Sequence, residues 1–142
     1  MKKLNTENFE EVANGEAGPF IIKFSSETCG PCKTMIPVMD ALEKKNPGVP
    51  IYEVDCGSSP ELAGHFGVQG VPNITYCEKR EVLYQFTGLT SLADLQYVID
   101  NLNDPYFREY GEFQKAEKKT DWKFYGIMGL VLTLFVFLFI FT

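Results

Sequence analysis

Cys29 and Cys32 stand two residues apart, with Gly30-Pro31 between them and Lys33 directly after. Two thiols at that spacing can exchange with a disulfide if the local backbone makes them unequal. Cys32, Lys33, Met35, Ile36, Val38, Met39 and Leu42 read as one helix with an apolar stripe. Pro31 falls in its first turn, where a missing N–H costs nothing. Cys29 then sits at the helix N-terminus. Unpaired backbone N–H groups and the helix dipole favour a thiolate there. Cys32, one turn inside, is the shielded thiol.

These residues need a rigid platform. Phe20-Ile21-Ile22-Lys23-Phe24 is a short apolar run of the kind that forms a buried strand leading into the motif. A strand, a C-x-x-C and a helix in that order form the context in which the motif implies thiol–disulfide chemistry. Before it, Thr6 is placed to cap a short helix carrying Phe9, Val12 and Ala13, ended by Gly15. The motif helix stops at Asn46-Pro47-Gly48. Residues 49–54 read as a second strand. Ser58 or Ser59 with Pro60 starts a helix that buries Leu62, Ala63 and Phe66 and stops at Gly67. Asn73 to Cys77 and Val82 to Phe86 read as an antiparallel pair, joined by the charged turn Glu78-Lys79-Arg80-Glu81, which lacks the usual glycine. A last helix, Leu92 to Leu102, turns Leu92, Leu95, Val98, Ile99 and Leu102 inward. The order β-α-β-α-β-β-α gives an α/β domain, a mixed central sheet with helices on both faces.

The charge balance narrows the partners. Thirteen Lys and Arg against nineteen Asp and Glu give a net charge of −6. The excess lies in residues 1–103, which hold eight basic and fourteen acidic residues. An acidic body argues against nucleic acid. One histidine and a single C-x-x-C leave zinc without a ligand set, and no metal or cofactor is expected. His65 reads as a surface residue, and Cys56 and Cys77 as small core or near-core hydrophobes. The N-terminus Met1-Lys2-Lys3-Leu4 lacks the apolar core of a secretory signal. A reducing compartment follows, where a C-x-x-C is catalytic rather than structural.

Cys29-Gly30-Pro31-Cys32-Lys33 resembles the active-site motif of the thioredoxin family, and the resemblance extends over residues 4–103. Pro37, five residues after the second cysteine, stands where thioredoxins carry a helix-kinking proline. Gly70-Val71-Pro72 resembles the loop that holds the family's cis-proline opposite the motif, and Gly88 also fits. The resemblance implies a thioredoxin fold and a protein-disulfide oxidoreductase. Cys29 would attack a substrate disulfide, and Cys32 would resolve the mixed disulfide. Gly30, Pro31, Val71 and Pro72 would form the substrate surface, with Val71 backbone groups pairing an extended substrate. Electrons would come from a thioredoxin-reductase-like or glutathione donor. The chain departs from the pattern at three places. Thr28 replaces the Trp before the first cysteine, and Asn73 stands where Thr usually follows the proline. Lys23 stands six residues before Cys29, where the family places a buried Asp or Glu as proton acceptor for the second thiol. A charged lysine cannot accept that proton, whereas a neutral, desolvated one can. A nearby ammonium would instead favour thiolate and make the disulfide more oxidising. The plainer alternative is a lysine whose amine snorkels to water.

Residues 104–123 read as a charged and aromatic juxtamembrane spacer. They hold Tyr106, Phe107, Tyr110 and Phe113, with Lys115, Lys118, Lys119 and Lys123 gathered at the end. Asp104-Pro105 can start a helix within them. Residues 124–141 carry no charge. At ~1.5 Å per residue they rise about 27 Å, close to the ~30 Å hydrocarbon core, and are expected to be a C-terminal transmembrane helix. Trp122 and Tyr125 lie at its entry, where aromatic belts form. The lysines before the span place the N-terminal domain in the cytosol, as a tail-anchored protein acting on membrane-associated protein disulfides. Two other readings stand beside this one. One is a membrane-tethered binding module that docks partners at Val71-Pro72 without turnover. The other is a disulfide-forming oxidase, if the domain faces an oxidising lumen.

Overall fold

The computed structural model describes residues 1–114 and 122–141, with side chains described for 1–114 and 125–141. Five strands form one sheet in the order β1-β3-β2-β4-β5. They are β1 (Lys2–Lys3), β2 (Phe20–Ser25), β3 (Ile51–Asp55), β4 (Asn73–Glu78) and β5 (Glu81–Thr87). β1, β3 and β2 run parallel, and β4 and β5 are antiparallel to their neighbours. The helices are α1 (Phe9–Gly15), α2 (Gly30–Lys45), α3 (Pro60–His65), α4 (Leu92–Asn101), α5 (Pro105–Tyr110) and α6 (Trp122–Phe141). The mixed sheet with helices is the architecture expected from the element order.

All six residues of β2 are buried, because helices cover both faces of this central strand. Its even residues Phe20, Ile22 and Phe24 join Phe9 and Ala13 of α1, Leu62 of α3 and Phe66 directly after it. Ile21 faces the other way, into a core with Met35, Met39 and Leu42 of α2 and Leu95 and Val98 of α4. The period-2 alternation of one strand thus divides the interior into two layers.

Several local expectations change. Asn8, not Thr6, occupies the cap position of α1, and the Thr6 hydroxyl reaches Glu61 instead. The charged turn after β4 closes because Lys79 takes φ 55°, the left-handed conformation a glycine would have supplied. β1 has no counterpart in the sequence reading; two exposed lysines extend the sheet by pairing Tyr52 and Glu53. Asp104 does cap a helix, its Oδ1 accepting from the N–H groups of Tyr106 and Phe107. That helix, α5, belongs to the body of the domain. Phe107 is buried in the α2 and α4 core and Phe113 packs against it, so the first half of the expected spacer lies on the domain.

Among the described residues no helix is long and apolar enough to cross a membrane. The transmembrane span expected at 124–141 is therefore not shown. It lies in α6, whose described side chains begin at Tyr125. Phe135, Phe139 and Phe141 are among its exposed apolar side chains.

Candidate active site

β2 ends at Ser25 and the chain turns directly into the motif. The Cys29 N–H donates to the Ser26 carbonyl at 3.3 Å, closing that turn. Cys29 is then the cap of α2, in extended conformation at φ −86° and ψ 107°. Its sulfur accepts from the Cys32 N–H at 3.1 Å. A thiolate at this position is stabilised by that donor and by the helix dipole. Pro31 sits at the start of α2, as its fixed φ favours, and Gly30 and Pro31 are exposed beside the sulfurs. Pro37 lies inside α2 and withdraws the donor that the Lys33 carbonyl would take.

Cys29 and Cys32 are joined as a disulfide, with Cα atoms 5.3 Å apart. The two sulfurs are unequal in access, since Cys29 is half-buried and Cys32 is 3% exposed. An incoming thiol or disulfide meets Cys29 first.

The opposite wall comes from β4. Phe24 pairs with Asn73, so Pro72 lies beside the end of β2, at the sheet edge from which the motif departs. The Val71–Pro72 bond is cis, as the resemblance implies. Val71 is half-buried and lies outside the ladder, which begins at Asn73. Gly88, at φ 92°, donates its N–H to the Pro72 carbonyl at 2.8 Å and fastens the loop to the end of β5. Asn73 is buried; its Oδ1 accepts from the Thr75 hydroxyl and its amide donates to Thr87. Thr28 is exposed next to Cys29.

Lys23 is 1% exposed, so its amine does not snorkel to the surface. It pairs in register with Ile74 on one side and Glu53 on the other, on the face covered by α2. Burial pushes its pKa down; Lys3 pushes the same way, and Glu53 and Asp40 oppose. Glu53 is the site residue that the sequence reading missed. Burial drives its carboxyl up, but Lys3, Lys23 and the Ser25 hydroxyl outweigh burial and hold it below the usual carboxylate range. Its Oε2 is 3.1 Å from the Lys3 amine, and its Oε1 accepts from Ser25 Oγ at 3.1 Å. The signal was present in Ile51-Tyr52-Glu53-Val54-Asp55. Strand alternation puts Glu53 on the same face as Ile51, a core slot.

The remaining cysteines, Cys56 and Cys77, are in no disulfide. Cys77 is buried and donates to the Phe20 carbonyl, and burial pushes its thiol far up. Cys56 is half-buried, its thiol raised by burial and then by Asp55. His65 is exposed, with ring contacts to Phe9 and Phe66. Among the described residues no cluster of His, Cys, Asp or Glu could hold a metal ion.

Residues 1–101 match the family model described as thioredoxin. Thioredoxin C-3 of Corynebacterium nephridii is 30% identical over 98 residues, 69% of this chain and 68% of that protein. The thioredoxin of Chlamydia trachomatis serovar D is 34% identical over 90 residues, 63% of this chain and 85% of that one. A solved chain, from work on the thiol resolving mechanism in yeast mitochondrial 1-Cys peroxiredoxin, superposes with a TM-score of 0.64 at 24% identity. It covers 71% of this chain and 94% of its own length, and shows the shared fold. With its paired Cys29 and Cys32 at the head of α2, the chain belongs to the thioredoxin family of disulfide oxidoreductases.

Proposed function

We propose that this protein reduces or exchanges disulfides of membrane-associated proteins, with Cys29 as attacking thiol and Cys32 as resolving thiol. The observation that carries the reading is the inequality of the two sulfurs: Cys29 half-buried at the helix cap, Cys32 enclosed one turn in. Cys29 thiolate attacks the substrate disulfide and one substrate sulfur leaves. Cys32 then attacks the Cys29 sulfur, the protein disulfide forms and the second substrate sulfur leaves. Gly30, Pro31 and Val71 flank that reaction as the substrate surface, with Pro72 buried beside Val71. A thioredoxin-reductase-like enzyme or glutathione returns the electrons.

Lipid is the partner we assign to α6. Its apolar side chains face outward along the helix rather than into the domain, and a helix apolar all round needs an apolar surrounding. Lysines 115, 118, 119 and 123 precede its apolar stretch, and by the positive-inside rule they put the domain on the cytosolic side. The function is tested by trapping. Cys32→Ser in expressing cells should accumulate mixed disulfides on Cys29, and mass spectrometry of the adducts should return membrane proteins. A trap that captures nothing covalent, with partners still held non-covalently, would favour the binding-module reading.

A further inference from the structure

The segment after α4 leaves the domain at the end of the sheet opposite the motif. Leu102, the residue that caps α4, lines one cavity with Pro19 and Pro50, which directly precede β2 and β3. α5 lies at that same end. Its Arg108 donates through Nε to the Leu102 carbonyl and pairs through Nη1 with Glu78. Glu78 ends β4, one step beyond Cys77, which pairs with Phe20 at the start of β2. At ~3.3 Å per residue, about 17 Å of β2 separates this level from the end where the motif departs. α5 buries one side and presents another. Phe107 is buried, whereas Tyr106 and Tyr110, one turn apart, are 38% and 60% exposed with ring centroids 4.7 Å from each other. Each is an apolar ring with a phenol tip, the side-chain type that collects at membrane–water interfaces. Phe113 is packed against the core, and nine residue steps take the chain from it to Trp122, where α6 begins. Even fully extended, that reach is about 32 Å, close to the ~30 Å diameter of a small domain. Contact between the domain and the bilayer that holds α6 is therefore intramolecular, and a contact too weak to recruit a free protein suffices to orient a tethered one.

We propose that Tyr106 and Tyr110 seat the domain on the headgroup layer of the bilayer that holds α6, and that Cys29, at the opposite end of the sheet, faces away from the lipid. The inference rests on the assignment of lipid to α6 above. It narrows the substrate class to protein disulfides that stand clear of the bilayer, in the water-exposed parts of membrane proteins. Net charge does not carry the contact. Residues 104–142 hold five acidic and five basic residues, and Glu109 and Glu112 lie beside Tyr110 in the chain. The seat is made by the tyrosine rings, so it forms on neutral phosphatidylcholine and persists in salt.

The test places the full chain in phosphatidylcholine vesicles doped with a headgroup-spin-labelled lipid, which quenches a fluorophore near the headgroups. One fluorophore is carried at the exposed position of Glu109→Cys, in a Cys29→Ser, Cys32→Ser, Cys56→Ser background. Another is carried at Cys29 itself, in a Cys32→Ser, Cys56→Ser background. Cys77 is fully buried and stays unlabelled. Quenching at position 109 should exceed that at Cys29 by about threefold or more, at low and high salt alike. Tyr106→Ser together with Tyr110→Ser, both at exposed positions, should cut that excess by about half or more, as the freed domain turns on its tether. Reduction of a disulfide fixed to a lipid headgroup should quicken about threefold or more with the same two substitutions, in a chain that keeps its cysteines. Equal quenching at the two positions, stronger quenching at Cys29, or an excess that ignores the tyrosines overturns the proposal. No gain in the headgroup reaction overturns the substrate class. Flotation separates this from the reading beneath it. A chain left behind by floating vesicles would sink the lipid assignment and the seat together, whereas a chain that floats with equal quenching removes the seat alone.

Discussion

Phe107 stacks on Phe113 with ring centroids 4.5 Å apart and planes within 5° of parallel. Tyr84 of β5 and Tyr97 of α4 each meet Phe113 at 5.2 Å, so the chain after α4 is pinned across the sheet and a helix together. Phe107 is 2% exposed, although it lies beyond the residues matched by the family model. Phe107→Ala should destabilise the domain by about 3–4 kcal/mol in urea unfolding, the usual cost of emptying a buried Phe site. A loss under about 1 kcal/mol would mean that α5 rests on the domain without contributing to its cooperative unfolding.

Lys23→Met should stabilise the fold at neutral pH by about 1 kcal/mol or more, since a well-packed apolar side chain avoids the desolvation of the amine. The pH dependence follows from the depressed folded pKa. Between that value and the unfolded value near 10.5, the unfolded chain binds more protons, so wild-type stability rises with pH. The advantage of Lys23→Met should therefore be greatest near neutrality and shrink as pH climbs towards 10.5. Chemical unfolding at pH 7 and pH 10 measures it. A gap that widens with pH contradicts the assignment.

Lys23 should also bear on the potential of the Cys29–Cys32 couple. Replacing it with an anion by Lys23→Asp disfavours thiolate and should lower the potential by some tens of millivolts, where ~30 mV corresponds to ~1.4 kcal/mol. Equilibration against glutathione buffers reads the change. Equal potentials for wild type and variant would remove any electrostatic hold of position 23 on the thiols.

Membrane attachment is checked on vesicles from expressing cells. The chain should resist alkaline carbonate extraction, and removal of residues 122–142 should release the domain to the supernatant. Protease added to sealed vesicles should digest the domain from the cytosolic side. A domain protected until detergent is added would reverse the orientation and favour disulfide formation over reduction.

The motif, its helix and the strand beneath were legible because each has a local cause, and the cis-proline loop was legible through the family resemblance. Cys29-Gly30-Pro31-Cys32 fixes a helix start, and Phe20 to Phe24 is apolar enough to be central. β1 was not legible, since Lys2 and Lys3 have no apolar period and are strand only because β3 offers an edge. Glu53 was missed for a related reason. Its partner Lys23 is 30 residues away in sequence, and only the parallel register of β2 and β3 sets the two side by side. The same holds for Phe107 and Phe113, whose aromatic rings amid charges read as spacer until β5 and α4 supply their partners.

Cys77 lies fully buried against the Phe20 carbonyl, and Cys56 is only half covered. The folded protein therefore carries its own stoichiometric gauge. An alkylating mass tag on the native oxidised chain should add once, slowly, at Cys56. Reduction should add a fast tag at Cys29, and only unfolding should admit a label at Cys77. Peptide mapping of the tags then reports redox state at Cys29 and foldedness at Cys77 together, from thiols that differ in nothing but where the chain has put them.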